Sequence, residues 1–324
     1  MYIYIALILC LFLLRKSKKG LISCTILLLL SGFRDVSVGT DTVNYLRSFN
    51  NPNSWERVND FIWVYINRFI LDSGLSFNYT LLVSSFIFLL MITLTARKLK
   101  VNVGLTLFYL TSLFYYFQSF NITRQFISIS FVLYAFTFIK DKKLVLFLLF
   151  IFIASGFHFS AVFITPFYFI STKHQHPALV ILVLASTFFV GGFVSIISLL
   201  GKIKLDIIYN SLLLNDLDLG FSLSRFLLNV YVSYLVLLNK GTSLFINLFI
   251  VGVILLNLLA PFGYIGRVAY YFIIVQVVLL PEYQLLENKR LHAASIVYSL
   301  VIFFYLLFNN NGGIYPYKFS SLVF

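Results

Sequence analysis

Apolar runs of about 13 to 23 residues recur along the whole chain, separated only by short polar clusters. They fall near residues 2–14, 21–33, 77–96, 103–120, 122–139, 178–200, 225–238, 243–259, 267–281 and 293–308. In lipid a backbone has no water to bond, so runs of this length are expected to close their own hydrogen bonds as helices. The stretch 144–171 is longer and is read as a helical hairpin turning near Gly156-Phe157-His158. The expected fold is therefore all-α: a polytopic integral membrane helical bundle of about 12 membrane segments, built as a single transmembrane domain over 1–324. Composition agrees, with charged residues at 11% and hydrophobic residues at 60% of the chain, where a soluble domain carries roughly 25% charged residues. No polar segment is long enough for a separate soluble domain, and no fixed-period repeat is present.

The basic residues orient the bundle. Lysine-rich loops at 15–19, 97–100 and 140–143 are expected to be cytoplasmic, which places the N-terminus outside. With 144–171 as a hairpin, Lys173, Lys240, Lys289 and Arg290 return to the cytoplasmic side and both termini lie outside. Most arginines then fall against the positive-inside trend: Arg34, Arg47, Arg57, Arg68, Arg124, Arg225 and Arg267 lie in or beside outward-facing segments. Acidic residues Asp35, Asp41, Glu56, Asp60, Asp72, Asp206, Asp216 and Asp218 lie on the same side. Loops 34–76 and 201–224 form the outer face, and the first carries Trp55, Trp63 and spaced apolar residues that predict a helix lying flat in the interface. Guanidinium groups at an outer membrane face suit a phosphate or pyrophosphate lipid.

The net charge of +13 comes mainly from the topogenic lysines, and no basic, aromatic-bearing soluble module accompanies it, which argues against a nucleic-acid partner. Cys10 and Cys24 lie in apolar segments without a CxxC or a Cys/His cluster, so neither a disulfide framework nor a metal site is expected. Tyr2 to Leu14 lacks a basic leader and a small-residue cleavage site and is expected to be a retained helix.

Four polar clusters interrupt the apolar pattern. The first runs from Gly32 to Tyr45: Arg34 suits bidentate phosphate binding, Gly39 permits a tight turn, and Thr40 and Asp41 suit the start of a helix. The bland alternative makes Asp41 an N-cap and Arg34 an interfacial anchor. The second is Asn121-Ile122-Thr123-Arg124-Gln125, where an Arg-Gln pair enters an apolar helix and needs a wet cavity or a partner. The third is Gly156-Phe157-His158-Phe159-Ser160, whose imidazole suits proton transfer or anion binding, or else the capping of a broken helix end. The fourth is Gly263 to Arg267 followed by Tyr270 and Tyr271, which an aromatic belt also explains. Arg47 and Arg68 read as interfacial residues that tolerate change.

The order Arg34…Gly39-Thr40-Asp41…Tyr45, Asn121…Arg124-Gln125, Phe157-His158-Phe159-Ser160-Ala161, Arg267 and Pro316-Tyr317-Lys318 resembles the EpsG family, Wzy-like polymerases of bacterial surface polysaccharides. The resemblance spans almost the whole chain. It implies that a glycan on undecaprenyl pyrophosphate is transferred by its reducing end onto the non-reducing sugar of a new lipid-linked repeat, at the outer face of the inner membrane. Arg34, Arg124 and Arg267 are then candidates to stabilise charge on the pyrophosphate. Asp41 and His158 are candidate bases, with Asp35 as a rival. Thr40, Tyr45, Gln125, Arg225, Tyr271 and Tyr317 are candidate substrate-binding residues, and Trp55 or Trp63 candidate stacking surfaces for sugars. A lipid-linked donor and the lack of a DxD-type motif imply no cofactor or required metal. The resemblance also implies membrane lipid and a chain-length regulator protein as partners.

Two other classes compete. A flippase or transporter would carry charges through the depth of the bundle and two related halves, whereas the clusters here gather at one face and no internal repeat is seen. A ligase shares the donor, the face and the arginine chemistry, but typically carries a longer outer loop.

Overall fold

Two helices form the interior of the larger part of the computed structural model. The helix α6 (Val103–Ser112) is apolar on every side and buried at every position, as a helix without a polar face must be. Its start is set by Asn102, whose side chain accepts from Leu105 N at 3.0 Å. The helix α8 (Thr123–Lys140) is nearly as enclosed. Around them pack α1 (Tyr2–Leu14), α2 (Leu21–Gly32), α5 (Phe77–Lys98), α9 (Leu144–Phe157) and α15 (Lys289–Phe308), with α8 against α5 and α9, and α6 against α1, α5 and α15. The structure describes residues 1–51, 55, 59–171, 173, 175–200, 223–238, 244–285 and 289–320. The chain divides into two compact units: Met1–Tyr168 with Leu280–Phe324, and Phe169–Leu279.

The described residues are all-helical apart from one isolated bridge, Arg34 to Phe319. Among the described residues, three helices are long and apolar enough to cross a membrane: Phe77–Lys98, Ile265–Glu282 and Lys289–Phe308. Most of the other apolar helices are shorter, including α1, α2, α6 and α9. Membrane character thus rests on the apolar helices, and α5 shows why one begins and ends where it does. Ser76 sits extended before its first turn, and Arg97 and Lys98 in its last turn complement the negative end of the helix dipole.

One expected span is broken and a second is irregular. The run 103–120 stops at Ser112, because Phe114 takes the left-handed region at φ 71°, and resumes as the short helix α7 (Tyr115–Gln118). A bulky residue there is strained, and an aromatic cluster offsets the strain: Phe114 packs on Phe117 and Phe303, and Tyr116 on Phe120. The run carries only small hydroxyl residues before the break and no charge, Gly or Pro at it, so hydropathy still reads it as one span. The run 267–281 lies within a stretch long and apolar enough to cross a membrane. Its geometry changes along it, from a 3-10 segment (Ala260–Ala269) to α13 (Tyr270–Ile273) and α14 (Gln276–Leu285), the last containing Pro281.

At 144–171 the chain does fold back. Helix α9 ends at Phe157, His158 is extended, and a 3-10 segment, Phe159–Phe169, follows. The Phe147 and Tyr168 rings lie 5.2 Å apart, so the far ends of the two legs meet. The segment 34–76 holds two short amphipathic helices, α3 (Thr42–Asn50) and α4 (Phe61–Asp72), where one flat helix was expected. Between them Phe49, Trp55 and Ile70 form a core with Phe77 and Leu81 of α5. Trp55 and Trp63 are both buried, Trp63 against the Tyr45 ring at 5.6 Å. Their indoles therefore pack this segment together and do not offer stacking faces to a sugar.

The second unit contains α10 (Pro177–Leu200), α11 (Leu223–Leu238) and α12 (Leu244–Leu259) with α13. Asn229 and Asn257 exchange carboxamide hydrogen bonds of 3.0 and 2.8 Å, and Asn257 reaches Thr187 Oγ1 at 3.2 Å. Buried amides paired in this way join three apolar helices that hydrophobicity alone does not hold together in lipid. The expected outer loop 201–224 falls almost wholly outside the described residues.

Candidate active site

Three segments distant in sequence meet at Asn121. Its Oδ1 accepts from Thr40 Oγ1 at 3.1 Å and from Asp41 N at 3.4 Å, and its Nδ2 donates to Gly312 O at 3.1 Å. The C-terminal segment completes the clasp through Gly39 N to Gly313 O, Thr40 N to Gly312 O, Asp35 N to Lys318 O and Ser320 N to Phe33 O. Tyr317 donates to Leu30 O at 2.6 Å. The close approach dictates glycine at Gly312, where φ is +76° and a Cβ would stand 2.4 Å from Asn121 Nδ2. Gly312→Ala is expected to destabilise the protein by about 1–3 kcal/mol, read as a lowered unfolding midpoint of the detergent-solubilised chain.

Arg34 is at the base of this clasp and is 1% exposed. Its Nη1 donates to Ser31 O at 2.5 Å and to Ser31 Oγ at 3.1 Å, its Nη2 reaches Phe120 O at 3.5 Å, and the guanidinium stands 4.3 Å from the centre of the Phe120 ring. Burial lowers its pKa to about 10, so it stays charged at neutral pH. Asp35 accepts from Ser37 N at 2.9 Å, and that turn holds its carboxyl below the ordinary range. Asp41 occupies the N-cap position of α3 but its side chain makes no cap hydrogen bond. Thr40 is exposed, and Gln125 is buried in the first turn of α8.

A second cluster centres on a carboxylate that the sequence did not single out. Asp60, just before α4, is 4% exposed. Arg124 Nη1 donates to its Oδ2 at 2.8 Å, His158 Nδ1 lies 3.4 Å from the same oxygen, and Phe159 N donates to Oδ1 at 3.0 Å. Arg124 comes from the first turn of α8 and His158 from the break after α9, so the carboxylate ties three separate segments. The Arg124 and His158 side chains are 30% and 32% exposed, which leaves both partly open above a buried anion. Tyr45 flanks Arg124, its ring centre 5.9 Å from the guanidinium, and burial raises its phenol, which stays protonated. No local signal marks Asp60, whose side-chain partners lie 64 and 98 residues away.

The remaining sequence candidates belong to the second unit. Arg225 is buried in α11, Arg267 is half-buried in the 3-10 segment, and Tyr271 is fully buried in α13. The structure thus brings Arg34, Asp35, Thr40, Asp41, Tyr45, Arg124, Gln125, His158 and Tyr317 into one unit and holds Arg225, Arg267 and Tyr271 in the other.

No curated protein and no solved structure matches this chain. The sequence matches the EpsG family over residues 19–319, nearly its whole length, and the protein therefore belongs to the EpsG family of Wzy-like polysaccharide polymerases.

Proposed function

We propose that the protein polymerises undecaprenyl-pyrophosphate-linked oligosaccharide repeats at the outer face of the bacterial inner membrane. One observation carries the reading: a guanidinium and an imidazole, each about one-third exposed, stand together on a buried carboxylate. Glycosyl transfer from a pyrophosphate needs both. The acceptor hydroxyl attacks the anomeric carbon, the carbon–oxygen bond to pyrophosphate breaks with its electron pair, and a base takes the hydroxyl proton. Arg124 meets the charge that grows on the leaving group. His158 and Asp41 are the candidates for the proton. Asp35 is less suited, since its carboxylate is engaged in its own turn.

In this reading about 12 segments cross the membrane, both termini face outward, and apolar helices hold the two polyprenyl tails. A chain-length regulator is a partner. Arg225, Arg267 and Tyr271 serve substrate binding. Arg47 and Arg68 are exposed, so Arg47→Ala and Arg68→Ala are expected to change stability by no more than about 0.5 kcal/mol and to leave polymer length unaltered on a polysaccharide gel.

The test is a gel of surface polysaccharide from a deletion strain, with and without the gene restored. Collapse of the ladder to a single repeat, reversed on restoration, supports a polymerase. Long chains retained on the lipid carrier but not attached point to a ligase. Repeats trapped on the cytoplasmic side point to a flippase.

A further inference from the structure

We infer that Asp60 is the positioning residue of this site and that, by orienting His158, it makes His158 the general base. The inference rests on the polymerase reading above.

The carboxylate is an acceptor only. His158 Nδ1 faces it at 3.4 Å, so Nδ1 carries the ring proton and Nε2 is left as the acceptor. That separation is long for a hydrogen bond, as is common in acid–base sites before substrate draws them together. The second oxygen of Asp60 accepts from Phe159 N, the residue after the histidine, at 3.0 Å. One carboxylate thus fixes both the ring and the backbone that bears it. His158 is the extended residue at which α9 gives way to the 3-10 segment, with φ −157° and ψ 114°, so helix geometry does not set its direction. Asp60 supplies what the helix cannot.

The same carboxylate holds Arg124 Nη1 at 2.8 Å and Tyr45 bonds the guanidinium from the side, while the 30% of the side chain that stays exposed leaves part of the fork open to another anion. Base and anion-binding group are therefore held at a fixed spacing by one residue. Asp60 is itself a poor base, because both oxygens already accept hydrogen bonds and it is 4% exposed. Asp41 has no comparable support: its carboxylate makes no hydrogen bond among the described residues. A purely structural role is a weak account of Asp60, since a buried ion pair adds little net stability over apolar packing.

In the step this implies, the acceptor oxygen bonds to the anomeric carbon and its proton moves to His158 Nε2. The bond from that carbon to the pyrophosphate oxygen breaks, and its electrons leave with the pyrophosphate beside Arg124. Asp60 stabilises the imidazolium that forms and does not take the proton.

The experiment measures elongation of a lipid-linked repeat by membranes carrying the full-length chain as wild type, Asp60→Asn, Asp60→Glu, His158→Gln and Asp60→Asn with His158→Gln, each at matched protein level. Asp60→Asn is expected to lower kcat by about 10²-fold while KM changes by less than about threefold. Asp60→Glu keeps the charge and is expected to recover at least a tenth of wild-type turnover. The double variant is expected to be slower than His158→Gln alone by far less than the factor Asp60→Asn costs in the wild type, because most of what Asp60 does runs through His158 and only its hold on Arg124 remains. Wild-type kcat in Asp60→Asn, or losses that multiply in the double variant, overturns the inference. Wild-type membranes that do not elongate the repeat overturn the polymerase reading and this inference with it, whereas an elongating wild type with an indifferent Asp60→Asn overturns this inference alone.

Discussion

Arg124→Ala is expected to abolish long polysaccharide chains while the protein remains in the membrane at its normal level. Removing one preorganised donor to a developing anion lowers turnover by about 10²–10³-fold, or roughly 2.7–4 kcal/mol of transition-state stabilisation. Some stability should be lost, because Asp60 is left buried without its guanidinium. The loss is moderated because Arg124 is itself 30% exposed and Asp60 keeps Phe159 N and His158 as partners, so the chain still inserts. Arg124→Lys should recover little activity. A lysine presents one point charge, whereas the guanidinium donates through Nη1 to Asp60 and still has nitrogens to present to a phosphate. The readout is a polysaccharide ladder beside an immunoblot of the tagged chain. Long chains surviving in Arg124→Ala would remove Arg124 from the pyrophosphate site.

Much of the fold is legible in the sequence because lipid-facing helices advertise themselves. The runs 2–14, 21–33, 122–139, 178–200 and 243–259 coincide within a residue or two with α1, α2, α8, α10 and α12. The histidine at a Gly-Phe-His break marks the turn at the end of α9. What fails is what hydropathy cannot encode. Phe114 breaks a run that hydropathy reads as one span, and its support is a set of aromatic contacts that includes Phe303. Trp55 and Trp63 read as interfacial residues, because an amphipathic segment looks the same whether its apolar face meets lipid or protein. Here it meets α5, Tyr45 and neighbouring parts of the same segment.

The site divides along the same line. Clusters that contain turn chemistry were visible: Gly39-Thr40-Asp41, Asn121 and the C-terminal Pro316-Tyr317 segment each show residues that do not belong in an apolar helix. Their meeting at Asn121 and Gly312 depends on pairings across 81 and 191 residues. Asp60 was one of eight acidic residues assigned to the outer face, with nothing local to raise it above the others. Its distinction is burial beneath two partners, which only tertiary structure creates.

Arg34 provides the sharpest contrast with Arg124. Both are arginines beside polar clusters, and the family resemblance makes both candidates to stabilise charge on the pyrophosphate. In the structure Arg34 is 1% exposed and bridges the carbonyls of Ser31 and Phe120, holding the end of α2 to the turn before α8. Arg34→Ala takes the donor from Ser31 O, leaves Phe120 O to the Thr42 and Thr123 hydroxyls alone, and opens a cavity beside the Phe120 ring, a combined loss on the order of 3 kcal/mol. That is a large part of the total stability of an ordinary domain. Arg34→Lys should help little, since one ammonium cannot span both carbonyls and lie along the ring. The expected result is reduced protein in the membrane and a lowered unfolding midpoint for both variants, with polymer lost in proportion to protein. Arg124→Ala should show the reverse: normal protein and no polymer. If Arg34→Ala accumulates normally and unfolds within about 2 °C of wild type, yet makes no polymer, Arg34 acts on the substrate and its buried contacts are not what the fold depends on.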